Sequence, residues 1–297
     1  MRAGIVINPE AGRSGARRAA ARTRLARAAL RRLAVEGDVR LTERPGSARA
    51  IARSMIAAGA TTIVAWGGDG TINEVAAEVA AAGAVLGVVP GGSGNGFARG
   101  LGLERRPEAA LRTALHGAER RIDTGEIDGR IFVNVAGIGF DAHLAAVFNA
   151  LPTRGAAAYL RAGWKELRDY RAATYEVRTS RATFETTAFL LAAANGREYG
   201  MGAVIAPRAR PDDGVLDLVC VSARSPASLF WSLWRLFTGR LEGAPGVRYV
   251  SDSTIELAAE RPVAFHVDGE VCSGGNRLTI RVNPSSLRLR VPAASRR

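Results

Sequence analysis

A chain of 297 residues is long enough for two domains, and a hydrophobic content of 47% lets each bury a core. The two cysteines, Cys220 and Cys272, lie far apart without metal-ligand spacing, which excludes a disulfide framework and a zinc site and fits a reducing cytoplasm. The formal charge of +13 rests on 41 basic residues, all arginine except Lys165; it favours anionic surfaces, and without zinc-finger or RNA-recognition signatures nucleic acid is the weaker partner.

The first residues, MRAGIVINPEAG, run straight into a strand pattern with no apolar signal core, so no leader peptide is expected. No run of about 18 uninterrupted apolar residues follows, so contact with a membrane would be peripheral. Short apolar runs at Ala3 to Ile7, Val39 to Thr42, Thr62 to Ala65 and Val85 to Val89 predict strands. Helical stretches follow them at roughly Ser14 to Glu36, Ser47 to Ala58, Thr71 to Ala82 and Pro107 to Gly117. Repeated strand and helix units with near-continuous apolar strands predict a parallel sheet covered on both faces, with ligands at the carboxyl ends of its strands.

Past Ile122 the pattern turns to strands joined by turn signals, beginning with a hairpin at Asp128-Gly129. Further strands are expected at Thr174 to Thr179, Thr183 to Ala193, Val215 to Val221, Val247 to Val250, Thr254 to Leu257, Val263 to Val267, Arg277 to Val282 and Leu287 to Val291. Helical stretches interrupt them around Ala156 to Tyr170 and Pro226 to Phe237. The expectation is an α/β domain over residues 1–122 and a mainly antiparallel β-sandwich or barrel-like domain over 123–297. A cleft between the two is the default ligand site.

Three glycine-rich loops carry the chemistry. In TTIVAWGGDGTINEVAAEVA a buried strand ends at Trp66, and Gly67-Gly68-Asp69-Gly70-Thr71 turns into a helix. Glycine lets the backbone approach a phosphate, and the amides at the helix start face the anion. Asp69 would repel a bare phosphate there, so a cation, Mg²⁺ on ATP, is expected between them; the alternative is an ordinary turn with a capping aspartate. The next strand ends in VLGVVPGGSGNGFARGLGL, whose Gly92, Ser93 hydroxyl and Asn95 amide would form the second side of a phosphate cradle. Asn8 to Gly15 after the first strand completes the rim. No G-x-x-x-x-G-K-[ST] and no protein-kinase signature occurs, so a triphosphate must be held by amides, hydroxyls, arginine and Mg²⁺.

In this order and spacing, NPEAG, GGDGTINEV and PGGSGNGFARGLG resemble the catalytic domain of the diacylglycerol kinase, sphingosine kinase and bacterial lipid kinase superfamily. The similarity continues through NVAGIGFDA (Asn134 to Ala142), APRARPDDGVLDL (Ala206 to Leu218) and HVDGE (His266 to Glu270), covering nearly the whole chain. It implies an ATP-binding α/β domain of NAD kinase and phosphofructokinase type, and a β-rich lipid-substrate domain whose last segment, about 285–297, packs back on the first. It also implies phosphorylation of a lipid alcohol by ATP, diacylglycerol leading and a sphingoid base behind it, at the inner membrane face. A homodimer is compatible with it.

Carried across residue by residue, the resemblance gives Asn8, Thr42, Gly67, Gly68, Asp69, Gly70, Thr71, Ile72, Asn73, Gly92, Ser93 and Asn95 to the nucleotide, with Asp69 acting on Mg-ATP. Glu270 matches the general base, a carboxylate able to take the hydroxyl proton as the phosphoryl group arrives. Asp213, with carbonyls of Arg210 and Val215, matches a structural Mg²⁺ site, although Asp212-Asp213-Gly214 reads equally as a plain turn. Gly96 stands where many bacterial diacylglycerol kinases carry aspartate, a feature of the sphingosine and ceramide kinase branch. An NAD kinase shares the GGDGT turn, but PGGSGNGFARGLG and HVDGE fit the lipid kinases better. A silent lipid or nucleotide sensor would have no chemical need for both Asp69 and Glu270.

SLFWSLWRLF (Ser228 to Phe237) is apolar nearly all round and is assigned to the core, with an interfacial role as the alternative. The first helix carries Arg17, Arg18, Arg22, Arg24, Arg27, Arg31 and Arg32, either a solvated face or a surface for anionic lipid. His116 and His143 read as structural, and His266 is notable only for its place in HVDGE.

Overall fold

The computed structural model describes residues 1–12, 16–143, 170, 172–222 and 226–293, without the side chains of 16, 226–230 and 233. The chain forms two compact units: Met1–Asp123 with Pro284–Arg297, and Thr124–Asn283.

In the first unit β1 (Arg2–Ile7), β2 (Glu36–Leu41), β3 (Thr62–Gly67) and β4 (Val85–Pro90) form a parallel sheet in the order β2-β1-β3-β4. The last strand, β18 (Arg277–Val291), adds Arg288 and Leu289 in parallel beside Val85 and Leu86. β1 and β3 are almost wholly buried, as expected of strands covered on both faces, whereas the edge strand β2 is mostly exposed. Alternation decides which helix each residue meets. Ile5, Ile7, Val64 and Trp66 pack with Ala26 and Leu30 of α1 (Ala16–Arg32) and with Leu111 and Leu115 of α5 (Pro107–His116). On the opposite face Gly4 leaves room for Met55 of α2 (Ser47–Ala57), and α3 (Asp69–Ala82) buries Ile72, Val75, Ala76 and Val79. A short α4 (Gly96–Gly100) follows the loop after β4.

The C-terminal end of β18 is held within this unit by charge. Arg288 Nη2 lies 2.7 Å and Arg290 Nη2 3.0 Å from the Glu119 carboxylate, and Arg290 also donates to the Gly117 carbonyl at 2.9 Å. The Arg288 guanidinium, aided by Arg290, holds the Glu119 carboxyl below the usual range against the opposing effect of burial. Glu119 opens β5 (Ala118–Ile127).

The second unit is an antiparallel sandwich. One sheet runs β14-β13-β10-β7-β16-β17, built from β7 (Val135–Gly139), β10 (Leu190–Ala194), β13 (Leu216–Val221), β14 (Val247–Asp252), β16 (Ala264–Val267) and β17 (Glu270–Ser273). The other contains β8 (Ala173–Arg178), β9 (Thr183–Ala188), β15 (Thr254–Ala259) and the first half of β18, with β6 (Arg130–Phe132) paired to β5. Leu191, Ala193, Leu218 and Cys220 face Val177, Ile255, Leu257 and Ile280 across the core. Their neighbours Ala192, Ala194, Val219 and Val221 point the other way, onto Ile205, Ala206 and Leu241. This two-residue alternation fixes the register, since a one-residue slip would exchange the two sets. A small ribbon, β11 (Glu198–Gly200) with β12 (Ala203–Val204), completes the unit.

Three sequence expectations change. The run Thr183 to Ala193 is two strands: β9 pairs with β8, whereas β10 pairs with β7 and β13. The runs at Arg277 and Leu287 are one strand, because the chain passes Asn283-Pro284-Ser285 without turning back and Ser285 absorbs the irregularity at φ 50°. The core assignment of SLFWSLWRLF is overturned: in α6 (Pro226–Thr238) Trp231, Trp234 and Phe237 are 56%, 46% and 51% exposed, while Ser232 is buried. A helix apolar on all sides has no polar stripe to declare which face turns inward, so composition alone assigned it wrongly. The helix expected around Ala156 to Tyr170 lies outside the described residues but for Tyr170.

Candidate functional site

In the first unit every nucleotide-assigned loop leaves the carboxyl edge of the parallel sheet, where ligands of such sheets bind. The loops are packed backbone to backbone. A Cβ added at Gly92 would sit 2.7 Å from the Gly68 Cα, and one at Gly12 would sit 2.6 Å from the Gly91 carbonyl oxygen. The Gly91 amide donates to the Gly67 carbonyl at 2.7 Å. Side chains would push these strand ends apart, which is the physical reason for glycine at positions 12 and 92.

At the centre α3 starts at Asp69, so the amides of its first turn lack helical carbonyl partners until Ile72 bonds Gly68 at 3.0 Å. A Cβ at Gly70 would meet nothing within 4 Å, so this turn is open. The Asp69 carboxylate accepts the Phe97 amide at 3.2 Å, tying it to the start of α4. Thr71 packs against Gly67 and accepts the Asn8 side-chain amide at 3.0 Å, while Asn8 Oδ1 accepts the Glu10 amide at 2.9 Å.

The assigned residues therefore divide into presenters and builders. Gly68, Asp69, Gly70 and Gly92 are partly exposed and Ser93 is exposed, whereas Gly67 and Thr71 are buried. Ile72 and Asn73 are buried, and the Ile72 amide is spent on the helix, so these two shape α3. Asn95, at φ 51°, receives the Gly92 amide at 2.9 Å and returns its own amide to the Gly92 carbonyl at 2.7 Å, clipping the loop. Thr42 follows β2 and bonds the Ile7 carbonyl through its amide at 2.9 Å. Arg22 was not singled out among the arginines of its helix. Its guanidinium holds the first loop by the carbonyls of Asn8 and Ala11, both at 2.8 Å, and with Arg18 and Trp66 lines a cavity of about 400 Å³ beside Gly91 and Gly92.

In the second unit HVDGE forms a hairpin: Val267 pairs with Glu270, and Asp268 and Gly269 take φ 49° and 90°. This is the two-residue turn that Asp-Gly favours, and the Asp128-Gly129 hairpin repeats it. Glu270 is exposed at the start of β17. The Asp268 carboxylate instead accepts three amides, from Val133 at 2.8 Å and from Asn134 and Val135 at 3.0 Å. So many donors stabilise a carboxylate as the anion and make it a poor proton acceptor. His266, one strand position inside the turn, bonds Asp141 through Nε2 at 2.9 Å.

The PDDG turn lies elsewhere in this unit. Val215 donates its amide to Asp213 Oδ1 at 3.3 Å, while the Arg210 guanidinium lies 3.7 Å from Asp212. Among the described residues no three His, Cys, Asp or Glu side chains cluster as a metal site. Burial pushes the Asp217 carboxyl up, and the charges of Asp213 and Glu242 push it further.

Residues 2–127 match the diacylglycerol kinase catalytic domain, and residues 134–291 match the YegS C-terminal NAD kinase beta sandwich-like domain. A protein of Pseudomonas aeruginosa PAO1 named "Probable lipid kinase YegS-like" is 36% identical over 281 residues, covering 92% of this chain and 90% of that protein. A protein of the same name from Chromohalobacter salexigens is 34% identical, covering 86% and 84%. The solved structure of a diacylglycerol kinase from Bacillus anthracis str. Sterne shares the fold at a TM-score of 0.73 with 18% identity, over 98% of this chain and 96% of that one. With both domains matched in order and relatives above 30% identity along most of its length, the chain belongs to the diacylglycerol kinase-like family of lipid kinases.

Proposed function

We propose that this kinase transfers the γ-phosphoryl group of ATP to a hydroxyl of a membrane lipid, with diacylglycerol the leading acceptor and phosphatidic acid the product. The observation that carries this reading is the convergence of three glycine loops on the open first turn of α3, with Asp69 at its head. The names of the relatives point to lipid as the acceptor class.

Each residue has a defined task. The amides of Gly70 and Thr71 and the Ser93 hydroxyl would bind phosphate oxygens, and Asn8, Arg22 and Asn95 keep the loops in register. Asp69 would hold Mg²⁺; one carboxylate oxygen is steadied by Phe97, and a carboxylate has further lone pairs for a cation. Mg²⁺, when bound, supplies charge neutralisation on the transferring phosphoryl oxygens. Glu270 accepts the proton of the lipid hydroxyl, whereas Asp268 is engaged by three amides in holding the turn. At Asp213, with carbonyls of Arg210 and Val215, a second Mg²⁺ would serve structure.

The substrate resides in a bilayer, and the reading includes peripheral contact with an anionic leaflet on the cytoplasmic side. Two features support it. α1 carries seven arginines and no acidic residue. α6 exposes two indoles and a phenyl ring within a segment, Pro226 to Arg240, that holds two arginines and no carboxylate; tryptophan is favoured at the membrane interface. No described helix is long and apolar enough to cross a membrane.

The test offers Mg²⁺ and γ-labelled ATP with diacylglycerol, a sphingoid base and NAD in separate reactions. Label in phosphatidic acid is expected. Label in the sphingoid phosphate would move the protein to the other branch, and label only in NADP would overturn the reading.

A further inference from the structure

We propose that Asp141, His266 and Tyr199 form a buried relay that positions Glu270 through the Gly269 amide. The inference rests on the reading of Glu270 as the general base.

The geometry dictates the protonation. His266 lies on β16, between β7 and the edge strand β17, with its side chain 6% exposed and that of Asp141 16% exposed. The Gly269 amide, a donor only, points at His266 Nδ1 across 3.2 Å, so Nδ1 must offer a lone pair. The ring is therefore neutral with its proton on Nε2, which donates to Asp141 Oδ2 at 2.9 Å. The same oxygen accepts the Tyr199 hydroxyl at 2.5 Å. Asp141 thus selects the tautomer that can receive Gly269.

Both turn residues are then pinned, Asp268 by three amides and Gly269 by the ring, and Glu270 is the next residue out. Gly137 of β7 provides the space, since a Cβ there would overlap the Asp141 carboxylate and His266 Nε2. A buried pair of this kind is weak as a source of stability, because desolvating its members offsets their attraction. Its product here is orientation.

Among the described residues, the titratable groups around the ring are Asp141, Tyr199 and, in its own hairpin, Asp268. Burial disfavours the imidazolium, but the Asp141 charge and hydrogen bond, with Asp268 behind them, outweigh it and raise the His266 pKa above its ordinary value. Protonation places a hydrogen on Nδ1 against the Gly269 hydrogen and releases the turn. Lowering the pH through this titration therefore loosens Glu270.

The experiment is the pH profile of kcat at saturating Mg-ATP and diacylglycerol in mixed micelles, for the wild type, Asp141→Asn, Tyr199→Phe and Glu270→Gln, with circular dichroism to confirm folding. Asp141→Asn keeps an acceptor for Nε2 but removes the charge, so the acid limb shifts to lower pH. Tyr199→Phe leaves the Asp141 charge less satisfied, so the limb shifts to higher pH. The KM for ATP stays within about twofold in both, because positioning acts on the chemical step. Profiles superimposed on the wild type in every folded relay variant, or shifts in the same direction, overturn the relay. A loss of kcat in Glu270→Gln alongside unmoved relay profiles refutes the relay alone, whereas wild-type kcat in Glu270→Gln refutes the base and the relay with it.

Discussion

The carboxylate of Asp69 accepts the backbone amide of Phe97 at 3.2 Å, joining the glycine turn after β3 to the helix that follows the glycine turn after β4. An asparagine at position 69 can accept the same amide, so charge can be removed without breaking the tie. Asp69→Asn is predicted to lower kcat by about 10²- to 10³-fold with little change in thermal midpoint. Steady-state kinetics with a thermal melt checks this, and comparable losses of activity and stability would assign Asp69 a structural role.

The contact of Gly92 with Gly68 gives a second test. Gly92→Ala forces a methyl to within 2.7 Å of the Gly68 Cα, so the two strand ends must separate. The predicted cost is about 1–3 kcal/mol of stability, as in overpacked interiors, together with a raised KM for ATP. Gly70→Ala meets no neighbouring protein atom within 4 Å, so its folding cost should be small and its effect confined to nucleotide binding.

Most of this architecture was legible in the sequence, because its signals are local. Buried strands followed by glycine turns and amphipathic helices predict a parallel sheet, and Asp-Gly between alternating runs predicts the hairpins at 128 and 268. The builders of the site were not legible. Arg22 is one arginine among seven in α1, and what distinguishes it is its reach to the carbonyls of Asn8 and Ala11. Asp141 lies 125 positions from His266, a pairing that no spacing rule displays, although it sits inside the recognised NVAGIGFDA motif. α6 failed for a different reason: a helix apolar on every side does not say which side is buried.

The exposed edge of α6 carries a third prediction. Replacing Trp231 and Trp234 with serine should weaken binding to vesicles containing anionic lipid and leave turnover of a short-chain, monomeric diacylglycerol unchanged. Arg24, Arg27 and Arg31 to Glu should weaken binding to anionic vesicles more than to neutral ones, and added salt should have the same effect on the wild type. Vesicle co-sedimentation measures both, and unchanged binding would mark these as solvated faces.

A fourth prediction concerns stability and pH. Arg288 and Arg290 hold the Glu119 carboxyl below its ordinary value, so this pair stabilises the fold above the unfolded carboxyl range and the contribution disappears as pH falls through the depressed value. Because the groups are partly exposed, Glu119→Gln should cost no more than about 1 kcal/mol at neutral pH. Urea unfolding should show the difference from wild type narrowing in acid. A difference independent of pH would mean that packing, not charge, is lost.

The most direct measurement of the central claim is transfer of labelled phosphate from ATP to diacylglycerol by the wild type and by Glu270→Gln, each with Mg²⁺ and with excess EDTA. The account predicts labelled phosphatidic acid with the wild type, none in EDTA, and a kcat lower by about 10²- to 10⁴-fold in Glu270→Gln at an unchanged KM for ATP. Undiminished transfer in EDTA, or wild-type kcat in Glu270→Gln at saturating lipid, would contradict it.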